Sequence, residues 1–395
     1  MTPPERIAFD ARYINDRYHG IGRYAFRLLE AMVAAAPERT FIVFRGRGQD
    51  SRFDWSGLAA RPNVELREGP WPLYWPHEQL LWPLLLRRSR ADLFHTPYFA
   101  APLLAPCPVV VTVHDLIFDR YPAYMPWGWA RPYYRLLMAW GTRRAKRVIA
   151  VSQATAADLT HFYGTPPERI AVVPEGVDPG FAPPSDPDRR RALRWRYGLL
   201  RPFVLTVGAR RPHKNLGRLV RAFSRVAVEV PHDLVFVGEA DPRFPDEARQ
   251  AVIEEGIGHR VRFLGWVAEA DLPGLYSLAD LVVLPSLVEG FGLPALEAMA
   301  CGTPVLAAAT SSLPEVVGEA GVLVDPHDVS AMAGALRGLL HDEALRCRLS
   351  EMGRQRAATF TWAATAQRTL EVYEEASAAD AFGAPEPLRQ TEGSR

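Results

Sequence analysis

The chain has 395 residues and a mass of 44.0 kDa, which exceeds the ~250 to 300 residues at which a single hydrophobic core stops growing. We therefore expect two domains. Because 48% of the residues are apolar and 23% are charged, the composition excludes disordered, collagen-like and disulfide-scaffold proteins. The net charge of +1 gives no overall field that would attract nucleic acid, so no nucleic acid partner is expected. The longest apolar runs fall short of the ~18 residues of a membrane-spanning helix.

Two features of the sequence favour a cytoplasmic location. The first six residues lack the apolar core of a signal peptide, so secretion is not expected. The three cysteines, at 107, 301 and 347, are widely spaced and show no metal-ligand pattern, so we interpret them as reduced core thiols.

Short β-branched segments alternate with helical segments along the first half of the chain. Strands are predicted at 6–9, 40–44, 91–95, 108–113 and 147–151, with a helix from about 21 to 36. This alternation predicts a parallel sheet that is covered by helices on both faces.

A proline-rich segment at 174–187 separates this half from a second alternation and is the predicted linker. The second set of predicted strands lies at 203–207, 234–237, 261–263, 281–284 and 305–307, and a last helix at 362–376 precedes a polar tail. The sequence thus predicts an α/β fold in which two Rossmann-like, doubly wound parallel sheets face a cleft. We expect an N-terminal domain at 1–178, a C-terminal domain at 179–359, a helix at about 360–377 that returns to the N-terminal domain, and a disordered tail at 378–395.

The strongest local signal is a pair of glutamates that follows the predicted strand 281–284. Glu289 lies in the loop after the strand, and Glu297 lies about two turns into the next helix. The glycines between them allow a ligand to approach the backbone closely, and a carboxylate can accept two hydrogen bonds from a ribose diol. Spacing alone also permits two solvated charges beside an ordinary helix start.

The sequence around these glutamates, and several segments elsewhere, resembles the retaining glycosyltransferases of family 4, which have the GT-B fold. The segments in chain order are Phe9-Asp-Ala-Arg-Tyr13, His19-Gly-Ile-Gly-Arg-Tyr24, Val113-His-Asp-Leu116, Ile149-Ala-Val-Ser152, Val173-Pro-Glu-Gly-Val-Asp178, the stretch from Val207 to Asn215, the Glu-x7-Glu motif with Ala-Met-Ala-Cys-Gly-Thr-Pro304, and Phe360-Thr-Trp362. The resemblance covers nearly the whole chain.

This resemblance implies roles in donor binding for residues of the C-terminal half. Glu289 would bind hydroxyls of the donor sugar together with the backbone of Gly290, Phe291 and Gly292, and Glu297 would bind the nucleotide ribose. Lys214 stands where the family places a lysine on the donor pyrophosphate.

The second pyrophosphate cation departs from the family pattern. His213 stands where related members often contain arginine. We therefore expect Arg210 to join Lys214, with Arg211 as the alternative. A departing nucleoside diphosphate needs fixed positive charge of this kind.

The N-terminal half contributes three further candidates. The resemblance implies that Gly20 and Gly22 belong to a loop over the donor phosphates. An ordinary helix start is the alternative interpretation. A dinucleotide-binding loop is a weaker interpretation. His114 follows a predicted strand and would lie near the sugar, as a catalytic or positioning group, while Asp115 would support its loop. A histidine that is satisfied within the core is the other interpretation.

No metal or other cofactor is expected. Asp186 and Asp188 form the Asp-x-Asp pattern of metal-dependent transferases, but they lie in the proline-rich linker. Magnesium needs oxygen ligands that are shared with a bound phosphate in the cleft, so we do not interpret these residues as a metal site.

Charge is distributed unevenly between the two halves. Residues up to 178 have 22 basic and 17 acidic side chains, and the rest have 24 and 28. Within 71–147 there are ten basic and four acidic side chains and six of the ten tryptophans. Basic groups among aromatic rings suit an anionic membrane surface, so peripheral contact at the inner face of the membrane is a hypothesis. A buried core with an oligomer contact is the alternative.

The sequence as a whole predicts a retaining hexosyltransferase, in which mannose from GDP-mannose is transferred to a polysaccharide or lipid-linked saccharide. The same fold with a UDP- or ADP-sugar donor is one alternative. A nucleotide-binding GT-B subunit without catalysis is another, and a nicotinamide-dependent oxidoreductase is the remote one.

Overall fold

The computed structural model describes residues 3–15, 19–46, 53–70, 77–125, 130–183 and 186–378. Its first half alternates strands and helices, as predicted. The elements are β1 (Arg6–Asp10), α1 (His19–Ala35), β2 (Thr40–Arg45), α2 (Trp55–Ala59), β3 (Val64–Glu68), α3 (Glu78–Ser89), β4 (Leu93–Thr96), β5 (Val109–Val113), α4 (Ile117–Arg120), α5 (Ala130–Arg144), β6 (Arg147–Ala150), α6 (Gln153–Tyr163) and β7 (Ile170–Val172).

The second half repeats this alternation after the proline-rich linker. The elements are α7 (Pro187–Arg196), β8 (Phe203–Val207), α8 (Leu216–Ser224), β9 (Asp233–Val237), α9 (Glu247–Glu254), β10 (Val261–Gly265), α10 (Leu272–Leu278), β11 (Leu281–Leu284), α11 (Leu293–Ala300), β12 (Val305–Ala308), α12 (Leu313–Val317), β13 (Val322–Val324), α13 (Val329–His341), α14 (Glu343–Ala357) and α15 (Trp362–Ala378).

The strands form two separate sheets, one for each half of the chain. The first has the order β3-β2-β1-β4-β5-β6-β7, and the second has the order β10-β9-β8-β11-β12-β13. Every pairing between neighbouring strands is parallel. The predicted fold class, an α/β protein with two parallel-sheet Rossmann-like domains, is therefore confirmed.

The central strands are buried along nearly their whole length because helices cover both faces of each sheet. All five residues of β5 and all four of β11 are buried. Parallel sheets bury both faces in this way, so their strands show continuous rather than alternating hydrophobicity.

The last helix, α15, packs against α1 of the first half. The phenol of Tyr373 lies 2.6 Å from Nδ1 of the buried His95, and Glu374 pairs with Arg39 at 2.5 Å. Just before α15, Thr361 forms a β-bridge with Val177 in the linker. The chain thus crosses from the second half back to the first.

Two features, the edge strands and the cysteines, differ from the sequence predictions. The strands β3, β7 and β13 were not predicted, and all three lie at sheet edges, where one side lacks a strand partner. Cys347 is exposed and Cys107 is half-buried, so only Cys301 is a core thiol. Asp186 is the N-cap of α7 and accepts a hydrogen bond from the backbone N–H of Asp188, which gives this Asp-x-Asp pattern a structural role.

Within the described ranges, no helix combines the length and the apolar character that crossing a bilayer requires. The predicted aromatic segment at 71–75 and the residues 126–129 lie outside the described residues, as does the end of the predicted tail from 379 onward.

Candidate active site

The candidate residues lie where the strand order of each sheet reverses. This reversal falls between β8 and β11 in the second sheet and between β1 and β4 in the first. In open parallel sheets, ligands bind beyond the carboxyl ends of the strands at such positions. The turn after β8 contains Lys214, the loop after β11 contains Glu289, and α1, which follows β1, contains Arg23.

Lys214 and Glu289 form an ion pair, with 2.7 Å between Nζ and Oε1. Their side chains are only 19% and 12% exposed. The hydroxyl of Ser286 donates a hydrogen bond of 2.7 Å to the same carboxylate oxygen. The structure therefore brings the predicted sugar-binding carboxylate into contact with the predicted pyrophosphate lysine.

The turn that contains Lys214 is fixed to the loop that contains Glu289. Asn215 adopts a left-handed backbone conformation with φ of 58°, and its amide group donates to the carbonyl oxygens of Pro285 at 3.0 Å and Pro326 at 2.7 Å. The backbone N–H of Leu287 donates to the carbonyl of His213 at 2.8 Å. These bonds hold Lys214 opposite Glu289.

Two serines after β12 hold the backbone of the Glu289 loop. Ser311 and Ser312 donate hydroxyl hydrogen bonds to the Glu289 carbonyl at 2.7 and 3.0 Å. Ser311 adopts a left-handed conformation with φ of 56°. Sequence reasoning missed both serines, because their only signal is their position after a predicted strand of the same sheet.

Gly290 lies against the N-terminal half of the chain. A Cβ atom at this position would lie 2.2 Å from the carbonyl oxygen of His114, so only glycine fits. The hydroxyl of Ser152 donates to the carbonyl of Gly290 at 2.6 Å, and that of Thr155 donates to the carbonyl of His114 at 3.1 Å. The loop after β11 and the end of β5 therefore meet across the cleft.

His114 is near the candidate site through its backbone, while its imidazole faces its own domain. Nδ1 lies 3.2 Å from Glu175 Oε1, and Nε2 lies 3.0 Å from the carbonyl oxygen of Pro97. The ring also packs edge-on against Tyr24. These contacts fix the imidazole, and its role toward a sugar stays a prediction.

Asp115 supports the loop after β5, as expected. Its carboxylate accepts a hydrogen bond of 3.0 Å from the backbone N–H of Ile117. Burial raises the pKa of the Asp115 carboxyl, and the negative charge of Glu289 adds to this effect, whereas the Ile117 hydrogen bond and the nearby Lys214 oppose it. The negative charge of Glu289 therefore acts directly on the carboxyl group of Asp115.

Glu297 is the second predicted donor carboxylate, and it is 5% exposed. The phenol of Tyr276 donates to Oε2 at 2.9 Å, and the guanidinium of Arg23 bonds to Oε1. Burial raises the pKa of the Glu297 carboxyl, while the charge of Arg23 and the two hydrogen bonds oppose the rise. Sequence reasoning missed Tyr276 and the role of Arg23.

Arg210 does not join Lys214 in the structure. Its guanidinium bonds to Asp246 at 3.1 Å and to the carbonyl oxygen of Gly238 at 2.5 Å, and it stacks over the ring of Phe263. Arg211, the alternative, bonds to Asp241 at 3.0 Å. Both arginines are thus engaged within the C-terminal half.

His213 cannot replace the arginine that related members contain at its position. It is buried beside Tyr124 of the N-terminal half, whose phenol lies 3.2 Å from Nδ1. Burial lowers the pKa of His213 to about 3, and the positive charges of Lys214 and Arg211 contribute to the shift. The imidazole is therefore neutral at physiological pH.

The four glycine and aromatic candidates have different environments. Gly20 faces open space, whereas a Cβ on Gly22 would lie 3.0 Å from the carbonyl oxygen of Tyr13. Both glycines lie in the first turn of α1, and Gly22 packs closely against the backbone of the loop that follows β1. Phe291 is buried, and Gly292 precedes α11 with φ of 111°, a conformation that favours glycine.

Two family matches together cover most of the chain. Residues 18–181 match the family described as "Glycosyltransferase Family 4", and residues 192–356 match "Glycosyl transferases group 1". Each match falls on one of the two sheets. With this fold and these matches, the chain belongs to the GT-B glycosyltransferases of family 4 and is similar to mannosyltransferases.

Two curated relatives are mannosyltransferases. The O-antigen chain mannosyltransferase B of Escherichia coli is 28% identical over 382 residues, which are 93% of this chain and 99% of that protein. An MMP alpha-(1->4)-mannosyltransferase of Mycolicibacterium hassiacum is 34% identical over 69% of this chain and 66% of its own length. The transferase class predicted from the sequence is confirmed.

Two solved structures share the fold over nearly their whole length. Sucrose-phosphate synthase from Thermosynechococcus elongatus has a TM-score of 0.74 and 26% identity, and the match covers 95% of this chain and 100% of that one. Anabaena HepE in complex with UDP and glucose has a TM-score of 0.70 and 22% identity, with coverage of 93% and 98%. The second likeness, below 25% identity, concerns the fold alone.

Proposed function

We propose that this glycosyltransferase moves mannose from GDP-mannose to a polysaccharide or lipid-linked saccharide with retention of anomeric configuration. The contact between Lys214 and Glu289 at the strand reversal is the main observation behind this proposal. The full-length similarity to an O-antigen chain mannosyltransferase favours mannose and a glycan acceptor.

The contact between Lys214 and Glu289 suits the bond that a glycosyl transfer breaks. That bond joins the sugar, which the carboxylate of Glu289 would hold by its hydroxyls, to the diphosphate, which Lys214 would neutralise. Nζ of Lys214 and Oε1 of Glu289 lie 2.7 Å apart. The two side chains can therefore contact the two groups that this bond joins, the sugar and the diphosphate. Such catalysis relies on positioning and on fixed charge at the leaving group.

We propose that the acceptor attacks the anomeric carbon from the same face of the sugar from which the diphosphate leaves, so that the anomeric configuration is retained. The bond between the anomeric carbon and the phosphate oxygen breaks, and a bond from that carbon to the acceptor oxygen forms. The acceptor proton passes to the departing phosphate oxygen. No protein nucleophile is needed, and His114 is proposed to shape the sugar side of the site through its fixed ring and backbone.

We further propose that the reaction is metal-independent. The positive charge that a developing diphosphate requires would come from Lys214 and from one arginine. Arg210, the arginine expected from the sequence, is held against Asp246 within the C-terminal half.

Thermal stabilisation by GDP, UDP, ADP and their sugar conjugates tests the donor. A ligand that binds only the folded protein stabilises it by about 2.7 kcal/mol at about 100 times its Kd. Selective stabilisation by GDP and GDP-mannose supports the proposal. Stabilisation by UDP or ADP species would assign another donor. Stabilisation without turnover would favour a non-catalytic subunit, and no stabilisation at all would contradict a nucleotide site.

A separate proposal concerns an apolar and basic surface of the N-terminal half, formed by α3, α5 and the loop 100–104. Leu80, Leu104 and Leu136 are 79%, 72% and 62% exposed. Basic side chains on the same two helices and at the end of α3 are also exposed, namely Arg87, Arg88, Arg90, Arg131, Arg135 and Arg143. We propose that this surface docks on an anionic bilayer, where apolar side chains enter the interface and arginines meet the headgroups.

Flotation with vesicles of anionic and of neutral lipid tests this docking. Binding to anionic vesicles that Leu136→Asp weakens supports it. Ile253→Asp, which changes an equally exposed apolar residue of the C-terminal half, is the matched control and should bind as the wild type does. No binding at low salt would contradict the proposal.

A further inference from the structure

Arg23 extends from the first turn of α1 to the C-terminal half of the chain. Its guanidinium bonds to Oε1 of Glu297 and lies 2.8 Å from Oε1 of Glu269. It also lies over the ring of Phe181, 5.7 Å from the centroid. The side chain is only 15% exposed, so this charge is held inside the cleft.

The third guanidinium nitrogen of Arg23 is a spare donor. Within the part of the chain that the structure describes, Nε is buried and has no hydrogen-bond partner. A buried donor without a partner costs free energy, so a ligand atom that accepts from it would stabilise the complex. The guanidinium therefore has capacity for an acceptor beyond its two carboxylates.

The order of groups in a nucleotide-sugar determines where its diphosphate must lie. The sugar and the ribose stand at opposite ends of the diphosphate. If Glu289 binds the sugar and Glu297 binds the ribose, as the proposed function has it, the diphosphate lies between these two carboxylates. Each carboxylate is paired with one cation, Glu289 with Lys214 and Glu297 with Arg23. The two cations thus lie at the two ends of the diphosphate position.

A ribose bound at Glu297 would compete with Arg23 for the carboxylate. Ribose hydroxyls donate hydrogen bonds to a carboxylate, as the guanidinium does now. An arginine remains charged at any physiological pH, so when it gives up a buried carboxylate it needs another anion. The diphosphate is the strongest anion of the ligand, and a guanidinium can bind two phosphate oxygens at once.

We propose that Arg23 is the second cation of the diphosphate site and that the N-terminal half supplies it. Arg210 and Arg211 are engaged with Asp246 and Asp241 within the C-terminal half. An arginine from α1 would bind the donor only while the two halves face each other as they do here. Donor binding and the arrangement of the two halves would then depend on each other.

Binding of the nucleoside, its monophosphate and its diphosphate, with the base selected by thermal stabilisation, tests this role. The proposal rests on the proposed donor site, so the wild type must first bind the diphosphate. Arg23→Gln should then lower diphosphate affinity about tenfold or more, the range for a lost hydrogen bond to a charged group. The affinity for the nucleoside should stay unchanged or rise, because Glu297 becomes free for the ribose. Arg23→Lys should lose less, since it keeps the charge.

Arg27→Gln is the matched control. Arg27 lies one turn further along α1 and pairs with Asp178 and Glu30, so its loss should leave all three affinities unchanged. Melting curves without nucleotide show whether each variant is folded.

Three results would overturn the proposal. Equal losses for nucleoside and diphosphate in Arg23→Gln would mean that Arg23 only orients Glu297. Unchanged affinities would mean that it has no role in binding. A selective loss of diphosphate affinity in Arg211→Gln, without one in Arg23→Gln, would assign the second cation to the turn after β8. If the wild type binds no nucleotide, the proposed function itself fails.

Discussion

The two glutamates of the strand–loop–helix segment are eight residues apart in the sequence but are held in different ways. Glu289 is paired with Lys214 of its own domain, and serines after β12 fix its backbone. Glu297 is held by Tyr276 from its own domain and by Arg23 from the other half of the chain. One carboxylate has a local cation, and the other has a cation from across the cleft.

This difference divides the donor site into two parts, one around each glutamate. The Glu289 carboxylate and its backbone carbonyl are held by groups of the C-terminal half, because Lys214 and the two serines follow strands of a single sheet. The site around Glu297 requires both halves. We therefore expect changes at Glu289 to affect chemistry at the sugar, and changes at Glu297 to affect nucleotide binding and its dependence on the arrangement of the domains.

The largest effect is expected for Glu289→Ala, which removes the proposed sugar-binding carboxylate. Loss of a charged hydrogen-bonding group from a desolvated site costs ~2 to 4 kcal/mol, so transfer should slow ~30- to 1000-fold. Steady-state transfer rates with the identified donor measure this change. Glu319→Ala changes an exposed glutamate of the same half and should keep the wild-type rate. A wild-type rate in Glu289→Ala would contradict the assignment.

An intermediate effect is expected for Glu297→Gln. The substitution keeps the shape of the side chain but weakens its acceptor, so donor affinity should fall about tenfold, or roughly 1.4 kcal/mol. KM for the donor should rise more than kcat falls. Tyr276→Phe removes only the hydroxyl group that orients this carboxylate and should cause a smaller rise in KM. A change in kcat alone would show that Glu297 acts on the chemistry and would remove the distinction between the two glutamates.

Stability, and not transfer activity, should depend on the titration of His213, which precedes Lys214 and contacts the N-terminal half. The pKa of His213 is lowered to about 3 in the folded chain, mainly by burial, whereas an unfolded histidine titrates near ~6.5. The unfolded state therefore binds one more proton between these two pH values. The free energy of unfolding therefore does not depend on the protonation of His213 above about pH 6.5. Below that pH it falls by about 1.4 kcal/mol per pH unit, until the pH approaches 3.

Urea unfolding of wild type and His213→Gln at several pH values measures this contribution. Below about pH 6.5, the free energy of unfolding of the variant should fall less steeply with decreasing pH than that of the wild type. The difference in slope should correspond to one bound proton. The buried His95, whose pKa is also lowered to about 3, should keep titrating in both proteins and serves as an internal reference. Identical pH profiles would contradict a buried neutral His213.

The sequence predicted the interior strands well but missed three of the four edge strands, for a physical reason. Strands such as β5 and β11 are buried on both faces and therefore consist almost entirely of apolar residues. The edge strand β3 has the sequence Val-Glu-Leu-Arg-Glu and is only partly buried, and β7 and β13 have three residues each. The hydrophobic residues of such short or polar segments show no periodicity that distinguishes the segment from a loop.

The candidate site shows a similar limit. Glu289, Glu297 and Lys214 were selected because they follow predicted strands and match positions of the family 4 pattern, whereas spacing alone left two solvated glutamates as an alternative. The partner of Glu297 is 274 residues away in the sequence, and no local pattern indicates that contact. Arg210 was expected at the pyrophosphate because of its closeness in sequence to Lys214, but nothing local shows that Asp246 and Phe263 hold its guanidinium.

The central claim is that Glu289 belongs to the sugar end and Glu297 to the nucleotide end of one donor site. Calorimetric titration of Glu289→Gln and Glu297→Gln with the stabilising nucleoside diphosphate and with its sugar conjugate tests this directly. We predict that Glu289→Gln binds the diphosphate as the wild type does and loses affinity only for the conjugate, whereas Glu297→Gln loses affinity for both by the same factor. Equal losses for both ligands in Glu289→Gln, or wild-type diphosphate affinity in Glu297→Gln, would contradict this account.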